Sequence, residues 1–162
     1  MQSRIAFGAL AVVSLAGLAG CGSDTVAVVA PQSTTYVSVM NGANEVPARP
    51  TTATGTATYT LTGNTLSFIV TVAGLSGPAT ASHIHVGSAA VAGGVLLGFV
   101  TSSVGSGNVT AGTIDLTQPI SNGTTSISGD SLKVLLNNGQ AYTNIHTALY
   151  GGGEIRGQII KQ

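Results

Sequence analysis

The chain has 162 residues and a mass of 15.9 kDa, which suits one domain and a targeting segment but excludes two full domains. Only 6% of residues are charged and the formal net charge is +0, so there is no basic stripe to neutralise phosphates, and nucleic-acid binding is excluded as a function class. A hydrophobic fraction of 43% and a mean hydropathy of +0.43 exclude a disordered chain, and with so few charges the surface falls to Thr, Ser, Asn and Gly.

At the N-terminus, Arg4 precedes an uncharged apolar run from Ile5 to Gly20. Residues 1–20 therefore read as a secretory signal peptide; the run is too short, and ends in residues too small, for a stable membrane-spanning helix. The run closes on Leu18-Ala19-Gly20-Cys21, which resembles the lipobox of bacterial lipoproteins at all four positions. The resemblance implies cleavage before Cys21, acylation of its thiol with palmitate-type chains, and a membrane tether that does not cross the bilayer. Gly22 stands where an inner-membrane retention signal has Asp, which implies the outer membrane in a Gram-negative envelope. Cys21 is the single cysteine, so no intramolecular disulfide forms. Residues 21–33 lack a strand period, contain Pro31, and read as a flexible tether.

From residue 34 to 162, short alternating segments are separated by Gly, Asn and Pro turns, the pattern of an all-β antiparallel sandwich. Strands are expected near 34–40, 56–62, 65–72, 80–86, 94–101, 109–117, 141–147 and 153–160. In the clearest pair, Ala57, Tyr59 and Leu61 alternate with threonines, and Leu66, Phe68, Val70 and Val72 share one face. Gly63-Asn64 between these strands is a hairpin turn needing positive φ. Residues 130–138 are the one expected helix, with Asp130 as its cap, Leu132, Leu135 and Leu136 on one side, and Asn138-Gly139 at its end.

The three histidines are His83, His85 and His146. In His83-Ile84-His85, side-chain alternation sends both imidazoles from the same face with backbones about 6.6 Å apart, and Ile84 and Val86 from the other. The same parity sets Asn144 and His146 against Ile145, and Glu154 and Arg156 against Ile155. If these strands are neighbours, the His, Glu and Arg side chains meet on the outside of one sheet. Imidazole is the commonest ligand for copper and zinc, and three imidazoles with an open position form a known binding arrangement. The alternative is structural: imidazoles that stitch loops to the sheet, beside an ordinary Glu154–Arg156 ion pair. No phosphate loop, Gly-x-Ser-x-Gly elbow or dinucleotide fingerprint is present, and nothing in the spacing brings Glu45, Asp115 and Glu154 together.

Three stretches together resemble the CHRD (chordin-type) domain family. They are Asn41-Gly42-Ala43-Asn44-Glu45-Val46-Pro47, then Gly74 to Gly87 around His83-Ile84-His85, then Asn144-Ile145-His146-Thr147 with Gly153-Glu154-Ile155-Arg156-Gly157-Gln158-Ile159. The resemblance covers residues 34–160 and implies an immunoglobulin-like, Greek-key β-sandwich, without implying an activity. Gly93-Gly94-Val95 and Ala48 depart from the family pattern, both in expected loops. The His-x-His strand and the later histidine strand also resemble copper/zinc superoxide dismutase, which implies His83, His85 and His146 as copper ligands and Arg156 as an anion guide. No histidine remains for a bridging ligand and no disulfide can form, so dismutase activity is not expected.

The sequence thus predicts a lipid-anchored envelope protein, not an enzyme, with one β-sandwich acting as a binding or structural module. Its partners are the membrane and an envelope protein or glycan, and its ligand face is His83, His85 and His146 with Asn144, Glu154 and Arg156 beside them. The alternative is a copper- or zinc-binding envelope protein using the three histidines. A third reading, adhesion through a Thr/Asn-rich sheet, leaves the histidines idle.

Overall fold

The computed structural model describes residues 31–162. The expected signal peptide of residues 1–20, the expected lipidation site Cys21 and the expected tether 21–33 as far as residue 30 lie outside the described residues, and Ser33, expected in the tether, already belongs to the first strand. The strands are β1 (Ser33–Asn41), β2 (Thr54–Thr62), β3 (Thr65–Ala73), β4 (Ala79–Val86), β5 (Val95–Gly98), β6 (Gly107–Asp115), β7 (Ile120–Ser121), β8 (Ser126–Ile127), β9 (Ala141–Thr147), β10 (Ile155–Gln158) and β11 (Ile160–Lys161), with one helix, α1 (Gly129–Asn137).

Nine strands join in one antiparallel sheet of order β5-β4-β9-β10-β1-β2-β3-β6, with β11 pairing to β1, and β7 and β8 form a separate ribbon. Alternation does the sorting, as expected: along β3, Leu66, Val70 and Val72 are buried while Thr65, Ser67, Ile69 and Thr71 are exposed. The β2–β3 hairpin pairs Thr62 with Thr65 across Gly63-Asn64, and Gly63 has φ 59°, which a side chain would resist.

The sheet curls so that its two halves face each other across the core, giving an all-β, sandwich-like fold. The segment between β5 and β6 ties the ends together: Phe99 N donates to Ser82 O and Ala79 N to Val104 O on one side, and Ser102 N donates to Val109 O on the other. Inside, Ile84, Ile145 and Ile155 come from β4, β9 and β10, and Ala57, Tyr59, Leu66 and Val70 from β2 and β3, all with no solvent exposure. Tyr59 and Thr143 make a hydroxyl–hydroxyl hydrogen bond of 2.9 Å between the two halves. Truncating any of the isoleucines to Ala would cost about 2–5 kcal/mol by lost burial and cavity formation.

Several boundaries differ from the sequence expectation. The helix cap is Ser128, not Asp130: Ser128 has the extended backbone that a cap requires, and its Oγ accepts from Ser131 N at 3.1 Å. Asp130 lies inside the first turn and pairs with Lys133 at 2.9 Å. Leu132 and Leu136 pack into the core, and Gly139 at φ 62° follows the helix end. The expected strand 153–160 divides into β10, which pairs with β9 and meets β1 at Asn41, and β11, which pairs with β1 at Tyr36 and Val37, and Glu154 sits before β10. The expected strand 94–101 contracts to β5, and β7–β8 was not foreseen because two-residue strands carry no period.

Candidate functional site

Strands β4, β9 and β10 are adjacent, and their registers lay the polar residues out as a grid on the face opposite the isoleucines. His83 pairs with Asn144, and Asn144 with Arg156; His85 pairs with Tyr142, and Tyr142 with Gln158; Ala81 pairs with His146. This is the outer face of the sheet, as the sequence has it, but it is not open to solvent. Loops from several parts of the chain cover it, leaving His85 and His146 each 9% exposed, Asn144 3% and Arg156 2%. A chain this poor in charge can seal a polar face only by pairing its groups internally, so its hydrogen bonds define its chemistry.

The three imidazoles converge, each offering one nitrogen within 4.8 Å of the others. His83 Nδ1 and His146 Nε2 are 3.0 Å apart. The hydrogen bonds fix the tautomers. His85 Nδ1 lies 3.0 Å from Gly93 O and His146 Nδ1 lies 3.0 Å from Gly151 O; a carbonyl only accepts, so both Nδ1 atoms carry the proton. In the neutral rings both Nε2 atoms are then lone pairs. His83 Nδ1 donates to the lone pair of His146, whereas the Nε2 of His85 is buried with no partner.

Burial lowers the pKa of all three rings. His83 falls to about 4, through desolvation first and then repulsion from His146 and His85. His85 is lowered by desolvation, against the raising effect of its Gly93 bond, with His146 and Arg156 adding repulsion. His146 is lowered by desolvation, against its Gly151 bond. The rings are therefore neutral at pH 7, the protonation state in which imidazole binds a metal.

Around the histidines a stack and a loop hold the geometry. Tyr142 lies against His85 with ring centroids 4.8 Å apart and planes 12° from parallel. On its other face the Arg156 guanidinium carbon sits 3.4 Å from the ring centroid, a close cation–π contact. Tyr142 Oη accepts from Gly93 N at 3.1 Å and donates to Gly93 O at 3.2 Å, so Gly93 is held by both Tyr142 and His85. A Cβ on Gly93 would come within 1.6 Å of Val86 O, which is why the 87–94 loop can approach β4 only with glycine there.

Glu154 and Arg156 share a side of the sheet but do not pair; among the described residues the one ion pair is Lys133–Asp130. Glu154, fully buried, accepts from Thr51 Oγ1 and Ser76 N on Oε1 and from Ser76 Oγ and Thr147 Oγ1 on Oε2, at 2.7–2.9 Å. Burial pushes its pKa up, but these hydrogen bonds together outweigh burial and hold it below the usual carboxylate value. It thus ties the loops containing Thr51 and Ser76 to the turn that carries Gly151, without touching the histidines. Asn144 donates from Nδ2 to Glu45 Oε1 at 2.8 Å. Asp115 is exposed at the end of β6 and accepts from Thr117.

The structure thus brings His83, His85 and His146 together with Asn144 and Arg156 on the same face, and assigns Glu154 to loop anchoring. Sequence reasoning missed Tyr142, Glu45, Gly93 and Gly151. Tyr142 was within reach, since it shares parity with Asn144 and His146. The glycines act through backbone carbonyls, for which no side-chain pattern exists.

The CHRD domain family matches residues 36–159, the stretch that contains all of these residues. No curated protein and no solved structure matches the chain.

Proposed function

The chain belongs to the CHRD domain family, and from that premise we propose that it is a lipid-anchored, non-enzymatic envelope protein whose β-sandwich module binds one copper or zinc ion through His83, His85 and His146. The observation that carries this reading is the buried, unpartnered Nε2 lone pair of His85, aligned by the Nδ1 bond to Gly93 O. Leaving a buried acceptor without a partner costs about 1–3 kcal/mol, a cost that a Lewis acid removes. A purely stitching role for His85 would be served by its Nδ1 alone.

The surroundings support the same reading. Metal-binding imidazoles commonly donate their second nitrogen to a carbonyl, which fixes the ring and raises its basicity; His85 and His146 both do so. Donors at about 2.0–2.1 Å from an ion lie closer together than 4.8 Å, so binding requires ring rotations of order 1 Å, with the ion replacing the His83–His146 hydrogen bond. Three neutral nitrogens and no carboxylate suit copper or zinc and leave a further position for water or an external ligand. Acylation of Cys21 would hold the module at the membrane surface.

Calorimetric titration of metal-free residues 31–162 with Cu(II) and Zn(II) tests the reading. One ion per chain is expected, with binding lost in the His83→Ala/His85→Ala variant while a thermal melt shows the variant folded. A folded wild-type domain that binds neither ion refutes it.

A further inference from the structure

Beside the histidines, on the other side of β9, a cavity of about 300 Å³ opens between the 3-10 turn Gly42–Asn44 and the 87–94 loop, with Ala43, Glu45, Ala89, Arg156 and Gln158 in its wall. That volume is at the small end of ligand cavities. Its wall holds two buried charges of opposite sign that do not neutralise each other. Arg156 is held by the Tyr142 ring and by one hydrogen bond, Nη2 to Ser88 O at 2.8 Å. Its Nε and Nη1 donors have no protein acceptor, and neither atom is sealed from solvent. Glu45, 7% exposed, is held by Asn144 Nδ2. Neither Arg156 nor Arg49 comes within 4.0 Å of it to form an ion pair.

Each group is therefore anchored from behind by a different neighbour and held short of the other. An ion pair built for stability would close that gap, because a separated pair keeps the desolvation cost and forgoes most of the attraction. Gln158 is also in the wall, but as scaffold: it donates from Nε2 to Gly87 O and Gly139 O, both at 2.7 Å, and its Oε1 is sealed from the cavity. The cavity thus presents a guanidinium fork, which matches a carboxylate with two parallel hydrogen bonds, and one carboxylate, Glu45, which matches an ammonium.

We propose that this cavity binds a small zwitterion of the α-amino-acid class, its carboxylate on Arg156 and its ammonium on Glu45. Burial raises the pKa of Glu45, against the lowering effects of Asn144, Arg156 and Arg49, which marks a carboxylate short of solvation. A ligand ammonium supplies that solvation. Small uncharged residues, Ala43 and Ala89, leave room above the charges for a short side chain. The site does not depend on an ion at the histidines.

An isosteric probe set tests the proposal on metal-free residues 31–162: L-alanine, propionate, which lacks the ammonium, and ethylammonium, which lacks the carboxylate, followed by amide NMR at constant ionic strength. L-Alanine is expected to bind at least tenfold more tightly than either half-probe, with shifts centred on residues 43–46, 88–89 and 156–158. Ala89→Phe, at an exposed wall position, fills the cavity without touching the buried charges and is expected to weaken L-alanine at least tenfold while the fold persists. Propionate or ethylammonium binding as tightly as L-alanine, no saturable binding of L-alanine, or an unaltered affinity in folded Ala89→Phe overturns the proposal.

Discussion

Replacing Glu154 by Gln keeps the volume of the side chain and removes its charge. The carboxylate accepts two hydrogen bonds on each oxygen; in the amide the carbonyl keeps those of Thr51 Oγ1 and Ser76 N, and the Ser76 and Thr147 hydroxyls turn to accept from the NH2, so the bonds persist without their charge. A hydrogen bond to a charged group contributes roughly 1.5–3 kcal/mol and a neutral one about 0.5–1.5, so weakening all four while relieving the burial of a charge leaves a net destabilisation of about 2–4 kcal/mol. In urea unfolding of residues 31–162 at pH 7, the midpoint should fall by about 1–2 M with an unchanged slope. The sign with pH follows from linkage. The folded pKa of Glu154 lies below its unfolded value, so its contribution is present above the unfolded carboxylate pKa and disappears as pH falls through the folded one. The gap between wild type and variant should therefore close in acid. Because the turn after Thr147 also carries Gly151 O, the acceptor for His146, the variant should bind Zn(II) about 10–100-fold more weakly. A midpoint shift below 0.5 M (roughly 1 kcal/mol) would refute the idea that this carboxylate holds the loops.

Three further outcomes are expected. The pKa of each histidine is lower in the folded than in the unfolded state, so the unfolded chain binds protons first as pH falls from about 6.5 to 4; metal-free stability should decline over that window by order 1–3 kcal/mol, and a urea midpoint that stays flat between pH 7 and 4.5 contradicts it. Gly93→Ala should displace the 87–94 loop, lowering stability by about 1–3 kcal/mol and weakening metal binding, since its Cβ meets Val86 O at 1.6 Å and Gly93 holds both His85 and Tyr142; thermal melts and zinc titration read both effects. Cys21→Ala should move the protein from the membrane to the soluble fraction on cell fractionation, and unchanged sedimentation with membranes would remove the lipid anchor from the reading.

Much of the site was legible one strand at a time. In β4 the alternation that buries Ile84 sends His83 and His85 the other way, and in β9 it buries Ile145 and presents Tyr142, Asn144 and His146. Nothing along the chain states that β4 and β9 pair, although their residues lie about sixty positions apart. The same limit explains Ser128 and Asp130: both are good caps by type, and the backbone at Ser128 decided between them. It also explains Glu154, which parity placed with the ligands and which the turn before β10 directed to Ser76, Thr51 and Thr147 instead.

By itself, then, the sequence determined the class of fold, the hairpin at Gly63-Asn64, the side of each strand on which each polar residue falls, and the family. These follow from a period of two and from turn chemistry, which act between near neighbours. Only the tertiary structure decided that three histidine positions meet, that loops cover their face, and that Glu45 and Arg156 stand unpaired across a cavity. Those outcomes depend on which strands find each other when the core closes, and that is a property of packing across the whole domain.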